Sequence, residues 1–389
     1  MMIPTLQKQY APNLGTSSSS RGETSRHLTN LDLMRTAAVG LVFAGHLMET
    51  AKVRAMGDLA HFGVLLFFIH TAFVLMISMD SMVLRGRKLY GAFLIRRFFR
   101  IYPLSVIAVV SVIAFAIPST AWLGGYSWVG WRALLSNIFL TQNITQSHSV
   151  ICVLWSLPFE VQMYTVLPAI YLFISRSGSS ATVWQVWLFS LVVASSEYFI
   201  RNGKCDPEFL LTRYFPCFVA GVLAWQLANT VTVRLPGWMW VMFIAGLISA
   251  YRIVDAFRVY GPALLSAFDG SFRSDHVVWW PPAFDLMNDW LFCAVTGFAL
   301  PHFVGVMSPW LKVICKRIAQ YSYGIYLSHV PILWLCFKRF HLGSLQMSVI
   351  VSLSLTAIIS IFSYHLLEDP AIRLGKRLAA RCAGSSTLV

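Results

Sequence analysis

Ten long apolar segments, joined by short polar links, constrain this chain more than any single motif in it. Their rough cores are residues 33–51, 60–79, 99–117, 153–174, 183–200, 210–226, 235–251, 290–307, 321–337 and 347–367. Each comes near the roughly 20 residues a helix needs to cross the hydrocarbon core of a bilayer. Composition agrees: 57% of residues are hydrophobic and 12% charged, whereas soluble domains carry about 25% charged residues. The expected fold is therefore all-α and integral to a membrane, a bundle of about ten transmembrane helices. A shorter apolar run near Trp131–Leu140 is expected to be re-entrant, and the count changes if it spans.

Residues 1–30 are polar and rich in serine, with SSSSRGETSR at their centre, and read as a disordered cytoplasmic tail. No apolar run precedes the first span, so a cleaved signal peptide is not expected. The transmembrane domain is expected over 31–380, with a short cytoplasmic tail at 381–389. Basic residues collect in two clusters, Arg85, Arg87, Lys88, Arg96, Arg97 and Arg100, then Arg373, Lys376, Arg377 and Arg381. Ten spans with both termini cytoplasmic put both clusters on the inner side, where Lys and Arg concentrate. The loop at 252–289, with Arg252, Arg258 and Arg273, weakens that asymmetry. The net charge of +14 then reflects contact with anionic lipid rather than nucleic acid, for which no binding pattern is present. Cys217, Cys293, Cys315 and Cys336 fall in or beside apolar runs and read as reduced packing residues. Cys152 and Cys205 fall on the outer side, where a meeting between them is open.

Ionisable residues inside a bilayer are costly, and this makes them functional candidates. Arg35, His46, His70, Glu160, Arg213 and His329 fall within the apolar segments. Arg35 and His46 are about three helical turns apart, on one face and roughly 16 Å apart along the axis. An elongated donor such as coenzyme A could bridge them, with phosphate near the Arg and the reacting carbon near the His. The plainer alternative is an interfacial Arg and a His bonded to a neighbouring helix. Glu160, early in the fourth span, is expected at a depth close to that of His46, where a carboxylate could orient an imidazole; a helix-capping role beside Pro158 competes. Arg97 and Arg100 are three residues apart, hence on one helix face, suited to phosphate or to topological anchoring.

At these residues the chain resembles the acyltransferase 3 family of polytopic membrane enzymes. LDLMRTAAVGLVFAGH is similar to the family's first span, GVLLFFIHTAFVLM to its second, and RRFFRIYP to its R-x-x-R stretch. LLSNIFLTQN, WSLPFEVQMY, RYFPCFVAGVLA, YSYGIYLSHVP and HLLEDPAIRLGKRL resemble later blocks in the family's order, so the likeness covers about residues 30–380. The resemblance implies a bundle of about ten helices and an acyl-CoA donor. It makes His46 the catalytic histidine, Arg35 its motif partner, Arg97 and Arg100 the arginine motif near the donor, and Glu160 a characteristic acid. Thr71 and Ala72, preceded by His70, depart from the family's usual Ser-Gly. Pro158 and Val161 replace a common Ser and a second Glu.

The expected activity is transfer of an acyl group, acetyl or another short one, from acyl-CoA to a hydroxyl of a glycan, a lipid-linked sugar or a small molecule. In this reading His46 is the general base, with an acyl-histidine step left open, and Glu160 orients His46 or the acceptor. Arg35, Arg97 and Arg100 hold the donor. His70, Arg213, Tyr323 and His329 are candidates for the acceptor side, with the outer Trp279, Trp280 and Trp290 as either sugar contacts or an interfacial aromatic belt. No metal and no tightly bound cofactor is expected; the partners are membrane lipid, acyl-CoA and the acceptor. The expected place is a cell membrane, the inner one in a bacterium. A secondary transporter is the alternative, since intramembrane charges and prolines such as Pro158, Pro168 and Pro216 suit one too.

Overall fold

The structure, a computed structural model, describes residues 18–52, 57–82, 84–121, 125–177, 179, 181–201, 209–228, 230–232, 234–269, 282–305 and 308–384. Residues 1–17 and 385–389 of the expected tails, and Cys205, Arg273, Trp279 and Trp280, lie outside the described residues, as does the side chain of Arg258.

Among the described residues every regular element is a helix, and the one extended feature is an isolated bridge between Leu235 and Phe303. In chain order the helices are α1 (Ser18–Thr50), α2 (Gly57–Asp80), α3 (Gly86–Ala114), α4 (Gly130–Phe139), α5 (Gln142–Thr145), α6 (Leu157–Ser177), α7 (Ala181–Ile200), α8 (Phe215–Ala228), α9 (Gly237–Asp269), α10 (Pro282–Ala299), α11 (Pro309–Trp334), α12 (Leu345–Ser363) and α13 (Asp369–Ala383). A 3₁₀ turn, Cys152–Ser156, leads into α6, and a π-helical stretch, Tyr364–Glu368, joins α12 to α13. Each of the ten apolar segments falls on a helix, in order. Helix α1 begins at Ser18, inside the stretch expected to be a disordered tail.

Among the described residues, seven stretches are long and apolar enough to cross a membrane: Thr29–Thr50, Asp58–Asp80, Gly86–Ala114, Cys152–Ser177, Ala181–Ile200, Gly237–Phe257 and Leu345–Ala383. The shortfall against ten has physical causes. With 14 residues, α8 is about 21 Å long, less than the roughly 30 Å of hydrocarbon. Its residues from Pro216 to Trp225 are all buried, so it is surrounded by protein. Helices α10 and α11 are diluted by Asp285 and Asp289, and by Lys312, Lys316 and Arg317.

The packing is inside-out relative to a soluble protein. On α12 the buried residues are Ser348, Ser352, Thr356 and Ser360, four apart and so on one face, while Ile350, Leu353, Ile358, Ile361 and Phe362 are exposed. Helix α4 turns Trp131, Leu135 and Phe139 outward and buries Ser136 and Asn137. Water would not tolerate that arrangement over so many helices; lipid does, and small polar residues let helices in it approach closely. At the centre lies α2, packed by α1, α6, α8, α9 and α10. Gly63 on α2 meets α1 so closely that a Cβ there would sit 2.6 Å from the Ala38 carbonyl oxygen. Helices α1 and α11 run parallel, because Arg35 bonds Ser322 and, further along both, His46 meets His329.

Candidate active site between α1, α6 and α11

The site has two ends set by the length of α1. At the first, Arg35 Nε donates to Ser322 Oγ at 2.6 Å and is within electrostatic reach of Arg100, Glu160 and Glu368. Arg100 pairs with the fully buried Glu368 at 2.7 Å, and its guanidinium lies 5.7 Å from the Tyr323 ring centroid. Arg97, one helical turn earlier on α3, lies over Phe93 at 5.6 Å, and its Nε is buried with no hydrogen-bond partner. Glu160 Oε1 accepts from Thr71 Oγ1 at 2.9 Å. A cavity of about 60 Å³ is lined by Arg35, Thr71, Ser156, Glu160, Ser322, Tyr323 and Tyr326 among others. Tyr323 is fixed by donating to the Ile101 carbonyl at 2.9 Å, and Tyr326 Oη lies 2.7 Å from both Ser156 Oγ and the Val153 carbonyl.

At the second end, His46 Nδ1 lies 3.0 Å from the Val42 carbonyl and 3.1 Å from His329 Nε2. His329 Nδ1 lies 3.0 Å from the Ile325 carbonyl. A carbonyl only accepts, so His329 donates from Nδ1 and its Nε2 carries a lone pair. His46 Nδ1 then faces two acceptors and must carry its proton. The basic lone pair of neutral His46 is therefore on Nε2, and that atom lies 4.0 Å from Cys152 Sγ. Cys152 is half-buried, whereas Cys217, Cys293, Cys315 and Cys336 are buried.

The expected match in depth between Glu160 and His46 is not what the structure has. Glu160 shares the cavity with Arg35, and the ring partner of His46 is His329. The reason is local: the segment enters as a 3₁₀ turn, which rises about 2.0 Å per residue before α6 begins. Cys152 thus takes the level of His46, and Glu160 lies roughly 14 Å further along.

A second, larger polar cavity of about 240 Å³ is lined by Asp58, His61, Arg213, Tyr251, Val254, Asp255, Asp285, Asn288 and Asp289. Arg213 is placed here rather than at the first cavity, and bonds Asp289 at 3.3 Å. Asp289 also meets His61 at 3.0 Å, and the Tyr251 hydroxyl donates to it at 3.3 Å. His61 is two residues before Gly63, which packs on Ala38 and Val42, so this cavity is on the His46 side of the molecule. The His61 ring stacks on Trp155, three residues after Cys152, with centroids 5.7 Å apart.

Of the residues singled out from sequence, Arg35, Glu160 and Tyr323 line one cavity, with Arg100 stacked on Tyr323. His46 and His329 form a pair. His70 is buried on α2 within electrostatic reach of Arg35. Sequence reading missed Cys152, Ser156, Ser322, Tyr326 and Glu368. Ser322, Tyr326 and His329 follow one another at four and three residues, a single helix face, so that spacing carried a usable signal. Cys152 carried none.

The comparisons with known proteins bear on the same residues. A family model described as an acyltransferase domain matches residues 28–366. No curated protein and no solved structure matches the chain. The matched stretch runs from just before Arg35 almost to Glu368 and holds both ends of the site. The chain belongs to the acyltransferase 3 family and is a multi-pass integral membrane acyltransferase whose transferred groups are other than amino-acyl.

Proposed function

We propose that the enzyme moves a short acyl group, with acetyl the first choice, from cytoplasmic acyl-CoA to a hydroxyl of a glycan, a lipid-linked sugar or a small molecule. The observation that carries this is the pair of contacts between the parallel helices α1 and α11. One holds Arg35 within electrostatic reach of Arg100, with Arg97 one turn from Arg100 on α3, and the other holds a histidine with its lone pair on Nε2. They are separated by roughly 16 Å of helix, a span suited to a donor with phosphates at one end and a thioester at the other. Arg35, Arg97 and Arg100 bind the phosphates, guanidinium groups being well matched to them. Glu160 and Thr71 line the passage. His46 accepts the hydroxyl proton as the oxygen attacks the thioester. The larger polar cavity, with Arg213, His61 and Asp289, admits the acceptor from the His46 side; its mixture of carboxylates, amide, phenol and guanidinium suits a hydroxyl-rich molecule. Ten crossings with both termini cytoplasmic complete the proposal and put the arginines on the inner side.

Purified protein in detergent, given acetyl-CoA, tests this directly, because an enzyme needs no second compartment and a transporter does. Release of CoA is read first. Acyl mass lost from envelope glycans and metabolites of cells lacking the gene then identifies the acceptor. His46→Gln is expected to lower transfer by roughly 10²–10⁴-fold, the usual worth of a general base, with the size-exclusion profile unchanged, whereas His70→Gln costs much less. Near wild-type turnover by His46→Gln removes His46 from the mechanism.

A further inference from the structure

We infer that the acceptor is an amphiphile, with a sugar or polyol head in the Arg213–Asp289 cavity and a single hydrocarbon chain in an apolar groove between α6, α7 and α8. The inference rests on the acyltransferase reading above and selects among the acceptors it allows.

The groove holds about 320 Å³ and is lined by Phe159, Met163, Val166, Val193, Leu211 and Phe218 among others. It borders α6 from Phe159 to Val166, about 10 Å of helix. That part of α6 belongs to the Cys152–Ser177 stretch, which is long and apolar enough to cross a membrane. Val166 at the edge of the groove is exposed, so within the span the groove opens to lipid and a chain can enter sideways. The polar side chains along it are occupied. Thr165 Oγ1 donates to the Gln162 carbonyl at 2.7 Å, and Thr212 Oγ1 donates to Glu197 at 2.6 Å. Gln162 and Asn143 exchange bonds at 3.0 and 3.3 Å. A groove whose polar groups already bond within the protein suits hydrocarbon and not a polar solute.

The ring of Tyr214 ties this groove to the polar cavity. Tyr214 lines the groove, and its neighbour Arg213 lines the cavity. The Arg213 guanidinium lies 4.9 Å from the Tyr214 ring centroid. Phe159, from the groove, meets the same ring with centroids 4.9 Å apart, and His61, from the cavity, meets it at 6.0 Å. The two spaces therefore lie back to back across one side chain. The segment that carries it is held in place, because Glu197 accepts from the backbone N–H groups of Leu211 and Thr212 at 2.9 and 2.7 Å. At the junction Arg213 gives one arm to Asp289, while its Nε is buried with no hydrogen-bond partner. An ether or ester oxygen that joins head to chain supplies the missing acceptor. A free sugar fills only the first space and an alkane only the second. A molecule with both parts fills the two together.

The test uses cells lacking the gene, separated into a chloroform–methanol lipid fraction, an aqueous fraction and an insoluble residue. Each is incubated with isotope-labelled acetyl-CoA and the full chain in phosphatidylcholine nanodiscs, where no detergent competes for the groove. The expected result is label in the lipid fraction, released as acetate by mild alkali, as an ester requires. Val193→Trp, which fills the groove, is expected to lose most of that label. Val192→Trp, on the outward side of α7 where Val192 is 63% exposed, is expected to keep it. The division of label among the wild-type fractions decides the matter if Val193→Trp does not fold. Label found only in the aqueous fraction or the insoluble residue overturns the amphiphile while the acyltransferase reading stands. So does a folded Val193→Trp that labels lipid as well as the wild type. A wild-type protein that releases no CoA with any fraction overturns the acyltransferase reading, and the acceptor assignment with it.

Discussion

Two arginines one turn apart on α3 differ in what holds them. Arg100 gives one arm of its guanidinium to Glu368, which is completely buried, and keeps the rest of the fork for the proposed phosphate, while Arg97 has a donor atom with nothing to bond. Removing Arg100 leaves a buried carboxylate uncompensated, a change that costs about 3–5 kcal/mol. Arg100→Gln is therefore expected to lower the yield of monodisperse protein on size exclusion, and Arg100→Gln with Glu368→Gln to restore it. Arg97→Gln leaves no such orphan. It is expected to fold normally and to weaken CoA binding by the worth of a charged hydrogen bond, about 1.5–3 kcal/mol, or roughly 10- to 100-fold, by equilibrium binding of CoA. A loss of fold in Arg97→Gln with donor affinity intact would make it an anchor instead. The R-x-x-R spacing showed that the two share a face. It said nothing of Glu368, which is far away in sequence and reaches Arg100 only through the packing of α13 on α3.

At the scale of the element, close approach of α1 to α2 is what sets the histidine in place. A Cβ on Gly63 would meet the Ala38 carbonyl oxygen and the Val42 side chain, whereas one on Gly40 meets nothing within 4 Å. Backbone cannot step aside as a side chain can. Gly63→Ala is thus expected to destabilise by about 1–3 kcal/mol and to lower activity by shifting His46. Gly40→Ala is expected to be neutral or stabilising, since alanine is the better helix former. Thermal denaturation in detergent separates the two. Helix identity was legible because apolar run length alone implies it: each of the ten segments is helical over most of its described residues. Helix ends were less so. The 3₁₀ entry to α6 carries no sequence signal strong enough to shift the expected depth of Glu160, and that one turn decides whether Glu160 or Cys152 stands opposite His46. The short α8 was read as a span because hydropathy measures apolarity and cannot tell a lipid-facing helix from one enclosed by other helices.

For the whole molecule, orientation is the property that composition predicts. Parallel α1 and α11 require an odd number of crossings between them, and the ten-span reading, with α1 first and α11 ninth, has seven. Reporter fusions near residue 10 and residue 385 are expected to be cytoplasmic. An external signal at either end would reverse which face the arginines meet. His46, Arg35 and the R-x-x-R pair could be singled out from sequence as candidates, because a polar residue within an apolar run stands out. The partners on α11 and the thiol on the turn before α6 were not, because they are small or weakly polar and gain meaning only through contact. A helix does not stretch, so the distance along α1 between its two contacts is a fixed gauge. In the proposed reading it suits a carrier gripped at one face while its cargo is unloaded near the other. The carrier would then stay on its own side, and only the cargo, a few atoms in size, would change compartments. A membrane enzyme working this way would export a modification without exporting the molecule that supplies it.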